Sequence, residues 1–255
     1  MRSLKVVRVQ GGAREIVEEL LTEEVTLKLY AGDRRIASLL CSPADLEDLV
    51  RGFLFGLGVI ERADQIRAVT VNRATCSAFV ELAPELDEEV PVLAGVVGSG
   101  CGSLPSPELR DAPAPLAEDG FRVSAARIGE LMHELARLSE VHRRTGGVHG
   151  AALADEEGIR VFREDIGRHN AVDKVIGRRL AEGGSFQRCL LLTSGRVSSE
   201  VLAKAVRCRV PVLVSRTAPT DRSVEEARRL NLTLAGFARG ERMNLYAAPE
   251  RVITA

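Results

Sequence analysis

The chain has 255 residues, 45% of them apolar and 28% charged, with a formal net charge of −1. That length can bury a sizeable core, as one large domain or two small ones, and the balanced charge gives no global field for nucleic acid or an anionic membrane. With no tryptophan and 4% aromatics there is no stacking platform for single strands, no apolar run of about 18 residues for a bilayer span, and in MRSLKVVRVQGG no secretory signal, so a soluble cytoplasmic protein is expected.

Residues 1–24 are charged and mixed, and read as an arm leading into the first strand. Val25, Leu27 and Leu29 alternate with Thr26 and Lys28 as a half-buried strand, Ala31-Gly32-Asp33 makes a turn, and 36–40 forms a second strand. Ser42-Pro43 predicts a helix start, with serine as N-cap, proline at the first helical position and Asp45 in the first turn. Leu46, Leu49, Val50, Phe53 and Leu54 would be its buried face and Gly56 its end. Short alternating strands follow at 69–72 and 78–82. Residues 1–94 thus read as a small α+β domain, with Cys41 and Cys76 as small buried hydrophobes.

Residues 95–121 have a different composition. GVVGSGCGSLPSPELRDAPAP (95–115) is too rich in glycine, serine and proline for a helix or a central strand, and predicts a flexible exposed loop. Cys101 sits in it between Gly100 and Gly102, with no core to belong to. It is the candidate nucleophile: a thiol is strongly nucleophilic even when only a few per cent ionised, and a nearby Arg or His⁺ raises that fraction. The five cysteines make an odd number with no C-x-x-C pair, against a disulfide framework or a Cys-rich zinc site. His133, His142, His149 and His169 show no ligand spacing, so no intrinsic metal is expected.

Residues 122–255 alternate helix and strand. Ser124 caps a helix running to about 139, with Ile128, Leu131, Met132, Leu135 and Leu138 facing the core and His133 off that stripe. A turn at 145–147 precedes a run of small residues at 148–153. Then come strand 159–163 and a helix from Asn170, strand 189–193 and a helix from Ser198, strand 210–215 and a helix from about 223, and strands 232–237 and 244–246. Cys189 and Cys208 fall in apolar surroundings and read as structural. The pattern predicts a largely parallel sheet covered on both faces, with ligands beyond the carboxyl ends of its strands. Just past successive strands lie Arg168-His169, Ser194-Gly195-Arg196, Ser215-Arg216-Thr217 and Arg239-Gly240-Glu241-Arg242. On one edge, these cations and hydroxyls would suit a ligand with several phosphates, with Gly195 and Gly240 allowing close backbone approach.

The densest stretch is FREDIGRHNAVDK (162–174). Gly167 supplies a turn, Asn170 a helix N-cap, and Val172, Val175, Ile176 and Leu180 a buried stripe. Arg168 and His169 are left beside a helix N-terminus, where an anion is favoured. This string resembles the signature of the formate dehydrogenase accessory sulfurtransferases, the FdhD/NarQ-type family. So do TGGVHGAAL (145–153), TSGRVSSE (193–200), VPVLVSRTAPT (210–220), LTLAGFARGERMNLY (232–246) and, upstream, CSPADLEDLVRGFLFGLGVI (41–60).

The resemblance spans nearly the whole chain after the first twenty residues. It implies an α/β fold, with a cytidine-deaminase-like α/β/α C-terminal domain behind the smaller N-terminal one, and a homodimer. It also implies a role: sulfur from a cysteine desulfurase would be carried as a Cys101 persulfide to a molybdenum or tungsten bis-pterin guanine dinucleotide cofactor. That cofactor, the bound substrate, would then enter formate dehydrogenase. The FARGER string, Phe237, Ala238, Arg239, Gly240, Glu241 and Arg242, is similar to part of the family's cofactor surface. Arg168, His169, Asn170, Ser194, Gly195, Arg196 and Arg216 would join it, around the guanine nucleotide moiety. His169 would either help ionise Cys101 or bind phosphate.

One departure matters. The family commonly has C-G-x-C-G in the loop, where this chain has G-S-G-C-G-S-L-P. One register sets Cys101 at the first cysteine and Leu104 at the second; the other sets Gly98 at the first and Cys101 at the second. A single thiol can hold a persulfide, but a two-cysteine relay is excluded. That leaves open a cofactor-binding chaperone that moves no sulfur. A zinc hydrolase of the deaminase class would need H-x-E and C-x-x-C, whereas His149 is followed by Gly150-Ala151.

Overall fold

The computed structural model describes residues 1–86, 90–93, 95–98, 114–118 and 120–254. In chain order its elements are β1 (Arg2–Gln10), β2 (Ala13–Leu21), β3 (Val25–Ala31), β4 (Arg34–Cys41), α1 (Leu46–Leu57), β5 (Ile66–Asn72) and β6 (Ser77–Leu82). Then come β7 (Val123–Ser124), α2 (Ala125–Leu138), α3 (Glu140–Thr145), β8 (His149–Ala154), β9 (Ile159–Asp165), α4 (Arg168–Ala181), β10 (Leu190–Thr193) and α5 (Ser199–Arg207). The last are β11 (Val212–Ser215), α6 (Asp221–Arg229), β12 (Thr233–Arg239), β13 (Arg242–Ala247) and β14 (Val252–Ile253).

Six strands form the main sheet in the order β13-β12-β11-β10-β8-β9. Only β10, β11 and β12 run parallel; β8 is antiparallel to both β10 and β9, and β13 to β12. The sheet is therefore mixed rather than largely parallel. The reason is the short turn from Ala154 to Ile159, where Asp155 N donates to Gly158 O at 3.0 Å; so short a connection makes a hairpin, since parallel pairing needs a crossover of a dozen residues or more. Two reversals leave β9 running with β10, β11 and β12. The carboxyl ends of those four strands and the start of β8 consequently share one edge.

Alternate residues of the central strands face opposite layers. Leu190, Leu192, Val212 and Val214 pack with Ile128, Leu131 and Leu135 of α2. Leu191 and Leu213 face Val172 and Ile176 of α4 and Val201 and Leu202 of α5. This second core continues into the N-terminal half, through Leu49 and Phe53 of α1 to Leu27 and Leu29 of β3. There four strands, in the order β4-β3-β6-β5, form a second sheet. Helices α1 and α4 cross almost backbone to backbone. A Cβ on Gly52 would lie 1.8 Å from the carbonyl oxygen of Asp173, and one on Gly177 would lie 1.9 Å from that of Asp48.

Several local expectations change. The arm at 1–24 is a hairpin, β1 against β2 about Gly11 and Gly12 at φ 58 and 83, the positive pair a tight hairpin turn demands. Helix α1 begins at Leu46, after Asp45 at φ 52, and not at Ser42-Pro43. Gly56 lies inside it and Gly58, at φ 82, caps its end. Leu138 is 38% exposed instead of buried, and the short helix α3, to which the sequence reading assigned no element, precedes the expected turn, which begins at Gly146 with φ 67. Ser124 caps α2 as expected, accepting from Arg127 N at 3.1 Å. Cys41, Cys189 and Cys208 are buried, whereas Cys76 is half-buried in the β5–β6 turn at φ 48.

Candidate functional site

The shared edge is assembled by backbone and hydroxyl bonds between neighbouring strand ends. Ser194, just past β10, accepts Gly150 N on Oγ at 3.0 Å and returns its own N–H to Gly150 O at 2.9 Å. Ser215, closing β11, donates Oγ to Gly195 O at 2.7 Å and accepts Thr217 N at 2.9 Å. Arg216 N donates to Thr193 O at 3.0 Å, and Phe237 N to Thr217 O at 3.0 Å. Arg239 Nε closes the series on Arg216 O at 3.0 Å. Phe237 holds φ 52 where the β12–β13 ladder breaks register, a conformation a bulky residue seldom adopts.

Helix α4 starts at Arg168, with Gly167 in the N-cap position, so Asn170 is not the cap. Its amide donates instead to Leu40 O at 2.8 Å and to Asp165 Oδ1 at 2.9 Å. Arg168, 7% exposed, runs across Gly195, whose missing Cβ would lie 2.7 Å from that of Arg168. His169 turns Nε2 to Ser198 Oγ at 3.1 Å and to Glu200 Oε2 at 3.0 Å. The sequence did not single out His149, at the start of β8, as part of this edge. Its Nδ1 lies 3.4 Å from Ser194 Oγ. Burial first, then the positive charge of Arg168, push its pKa below the ordinary histidine value.

The edge therefore brings together Arg168, His169, Ser194, Gly195, Arg196, Arg216, Phe237 and Arg239. Arg196, Arg216 and Arg239 are exposed on it. Gly240 and Glu241 form the turn before Arg242, exposed beyond the sheet, while Ala238 is 2% exposed and packs in the core. The N-termini of α4, α5 and α6 follow β9, β10 and β11 at the same edge, which favours bound anions. Cys101 lies outside the described residues.

Beneath Arg168 lies a centre that motif reasoning missed. Asp165, fully buried, pairs with buried Lys174 at 2.6 Å. It also accepts Ser42 N at 3.0 Å, Ser42 Oγ at 2.9 Å and Gly167 N at 2.9 Å. Only the last bond is local; the D-x-G spacing was its one visible signal. A cleft of about 660 Å³ opens on the other side of Ser42, beside the cationic edge and not on it, between Thr22, Pro43, Phe162 and Glu164. Among the described residues no cluster of His, Cys, Asp or Glu could hold a metal ion, and no helix is long and apolar enough to cross a membrane.

A family model described as the FdhD/NarQ family matches residues 22–253. The chain is 38% identical over 242 residues to the sulfur carrier protein FdhD of Halalkalibacterium halodurans, covering 93% of this chain and 90% of that one. It is 34% identical over 252 residues to its Bacillus subtilis counterpart, covering 97% and 95%. A crystal structure from Desulfotalea psychrophila, described as a formate dehydrogenase accessory protein, superposes with a TM-score of 0.83 at 31% identity, over 99% of each chain. Blocks that match in one order over almost the full length, on a shared fold, lead to one conclusion: this chain belongs to the FdhD/NarQ family.

Proposed function

We propose that this protein is a sulfur carrier for formate dehydrogenase maturation. The Cys101 thiolate attacks the terminal sulfur of a cysteine desulfurase persulfide, the desulfurase thiolate leaves, and Cys101 holds the sulfur as its own persulfide. The acceptor is a molybdenum or tungsten bis-pterin guanine dinucleotide cofactor bound as substrate on the cationic edge, its phosphates against the helix N-termini and the arginines around Phe237. The mixed α/β/α layering is compatible with a cytidine-deaminase-like domain, here without that class's zinc ligands.

The observation that carries this reading is the path of the chain at Val97 and Gly98, just before the segment that holds Cys101. Val97 pairs in parallel with Leu39, donating N–H to Ser38 O at 2.7 Å and accepting Leu40 N at 3.0 Å. The carbonyl of the same Leu40 accepts Asn170 of α4. The segment thus heads along β4 towards Ser42, Asp165 and the start of α4, and Gly98 follows Val97 directly. Cys101 is three residues further along the sequence. Such an attachment supports a thiol working against the Arg168 and His169 end of the edge.

The test is the intact mass of the protein after incubation with a cysteine desulfurase and cysteine, beside Cys101→Ala. One added sulfur that a reductant removes, absent from the variant, is expected. The missing second motif cysteine favours the other reading, a chaperone that binds the cofactor and moves no sulfur; a folded protein that gains no sulfur from a competent desulfurase would establish it.

A further inference from the structure

Glu200 closes the TSGRVSSE block, which assigns it no role, yet it decides how His169 is presented. His169 is the second residue of α4, and both contacts of its Nε2, Ser198 and Glu200, come from the start of α5. Ser198 holds the N-cap position of α5. A serine there ordinarily accepts an N–H of its own first turn, a gain of about 1 kcal/mol. It makes no such bond, and its hydroxyl is turned to the imidazole. Glu200 lies in the first turn, where the helix dipole favours a carboxylate, and the hydrogen bond from His169 holds its carboxyl below the usual range.

One turn along, the pairing repeats with its signs reversed. Asp173 of α4 meets Lys204 of α5, with side chains 2% and 7% exposed. Gly56 of α1 leaves room for it, since a Cβ there would stand 3.1 Å from Lys204 Nζ. A step of four residues on each helix stacks side chains on one face. The two rungs therefore set α5 against α4 in both height and rotation, and hold Glu200 on the ring of His169.

A carboxylate accepts hydrogen bonds and cannot donate. A neutral His169 facing Glu200 thus carries its proton on Nε2 and keeps a lone pair on Nδ1; a charged one carries a proton on each. Among the described residues Nδ1 makes no hydrogen bond, and the side chain is 12% exposed.

We propose that Glu200 is a positioning residue of this edge: it fixes the ring of His169 through Nε2 so that Nδ1, once protonated, donates to a phosphate oxygen of a nucleoside-diphosphate group. Glu200 then balances the charge the ring takes on. The ligand rests on the cofactor-binding reading above; the ring geometry does not.

Two measurements test it. In the free protein at alkaline pH, ring-nitrogen NMR should find His169 protonated on Nε2, and Glu200→Ala should move population to the Nδ1–H form. Titration with guanosine diphosphate should show a loss of roughly tenfold or more in His169→Ala, the size of a hydrogen bond to a charged group. The loss in Glu200→Ala should be smaller and should vanish when His169 is already alanine. A purely structural role for Glu200 would weaken binding equally in both backgrounds. Should Glu200→Ala not fold, Glu200→Gln, whose amide can turn its NH₂ to Nε2, is read in the same way. A wild-type ring protonated on Nδ1, or a Glu200→Ala chain with unchanged tautomer and affinity, overturns the proposal. Failure of the wild type to bind the nucleotide overturns the cofactor reading instead, and the tautomer alone then decides the role of Glu200.

Discussion

Asp165 and Lys174 meet 2.6 Å apart with neither side chain exposed, and their ion pair ties the two halves of the chain together. Asp165 takes both the N–H and the hydroxyl of Ser42, from the N-terminal half, while Lys174 Nζ donates to Ser42 Oγ at 3.1 Å. Removing one partner leaves a buried charge uncompensated, at a cost of about 3–5 kcal/mol. Asp165→Asn and Lys174→Met should each lower stability on that scale in urea unfolding, and the double variant should lose less than their sum. The exposed pair Arg8 and Glu15, 3.7 Å apart, is the contrast; Glu15→Ala should cost no more than about 1 kcal/mol.

The α1–α4 crossing makes a second prediction. At Gly52 the obstruction is the backbone of Asp173, and at Gly177 that of Asp48, neither of which can swing aside like a flexible side chain. Either glycine changed to alanine forces the helices apart. Overpacking costs typically 1–3 kcal/mol, and a clash with backbone puts these variants at the upper end, about 3 kcal/mol. A melting temperature unchanged by Gly52→Ala would refute so close a crossing. Separation of the helices should also move Asp173 away from Lys204, so nucleotide affinity should fall along with stability.

Acid should weaken the fold through His149. Its folded pKa lies below the reference value of 6.5, chiefly because it is buried, so the unfolded chain takes up the proton first. The stability tied to this residue is complete above about pH 6.5 and is lost as the pH falls from there towards the folded pKa. Between about pH 7 and pH 5 the wild type should therefore lose more stability than His149→Gln. Parallel curves for the two proteins would show that His149 is not held neutral.

Arg216 and Arg239 stand at neighbouring strand ends, with Arg239 Nε bound to the Arg216 carbonyl. A ligand phosphate that meets exposed guanidinium groups gains hydrogen bonds worth about 1.5–3 kcal/mol each. Arg216→Ala should weaken guanosine diphosphate binding by roughly tenfold or more, while leaving its own backbone bond to Thr193 intact. Rising salt should narrow the gap between variant and wild type. Equal affinity at low salt would move the ligand off this edge.

How much of this was legible depended on sequence distance. The central strands β10, β11 and β12 announce themselves as short apolar runs, and the starts of α4, α5 and α6 fall within two residues of the expected places, because both signals are local. Ser42 and Asn170 misled for the opposite reason. Each carries a capping side chain beside a helix start, but Ser42 is bonded to Asp165, 123 residues away, and Asn170 to Leu40, 130 residues away. A capping propensity of about 1 kcal/mol gives way to a buried carboxylate or carbonyl that needs a donor. The hairpin of β1 and β2 was hidden because Val7, Val9 and Ile16 are 63%, 64% and 75% exposed. Its strands have no consistently buried face, and the Gly11-Gly12 turn was the only cue. Convergence of the arginines survived the error in strand direction, since two antiparallel steps return β9 to the direction of β10.

The cysteines lead to the last prediction. Burial pushes the Cys41 thiol up to about 12, with the nearby carboxylate of Asp165 adding to it. Burial likewise raises Cys189 and Cys208. A thiol must ionise to react with an electrophile or accept sulfur, and these three are also shielded from reagent. Cys76 is half-buried at the surface turn, and Cys101 lies between Gly100 and Gly102 in the sequence. In native protein at neutral pH, iodoacetamide should modify Cys101 and Cys76 long before the other three, and all five should react after unfolding. Cys76→Ala should then leave one rapidly modified site, located by peptide mapping to Cys101, and should still gain the reducible sulfur. Sulfur found on Cys76 in the wild type, and absent from Cys76→Ala, would transfer the carrier role from the loop to the β5–β6 turn. Modification of native Cys41 as fast as an unhindered thiol would refute the buried environment on which this selectivity depends.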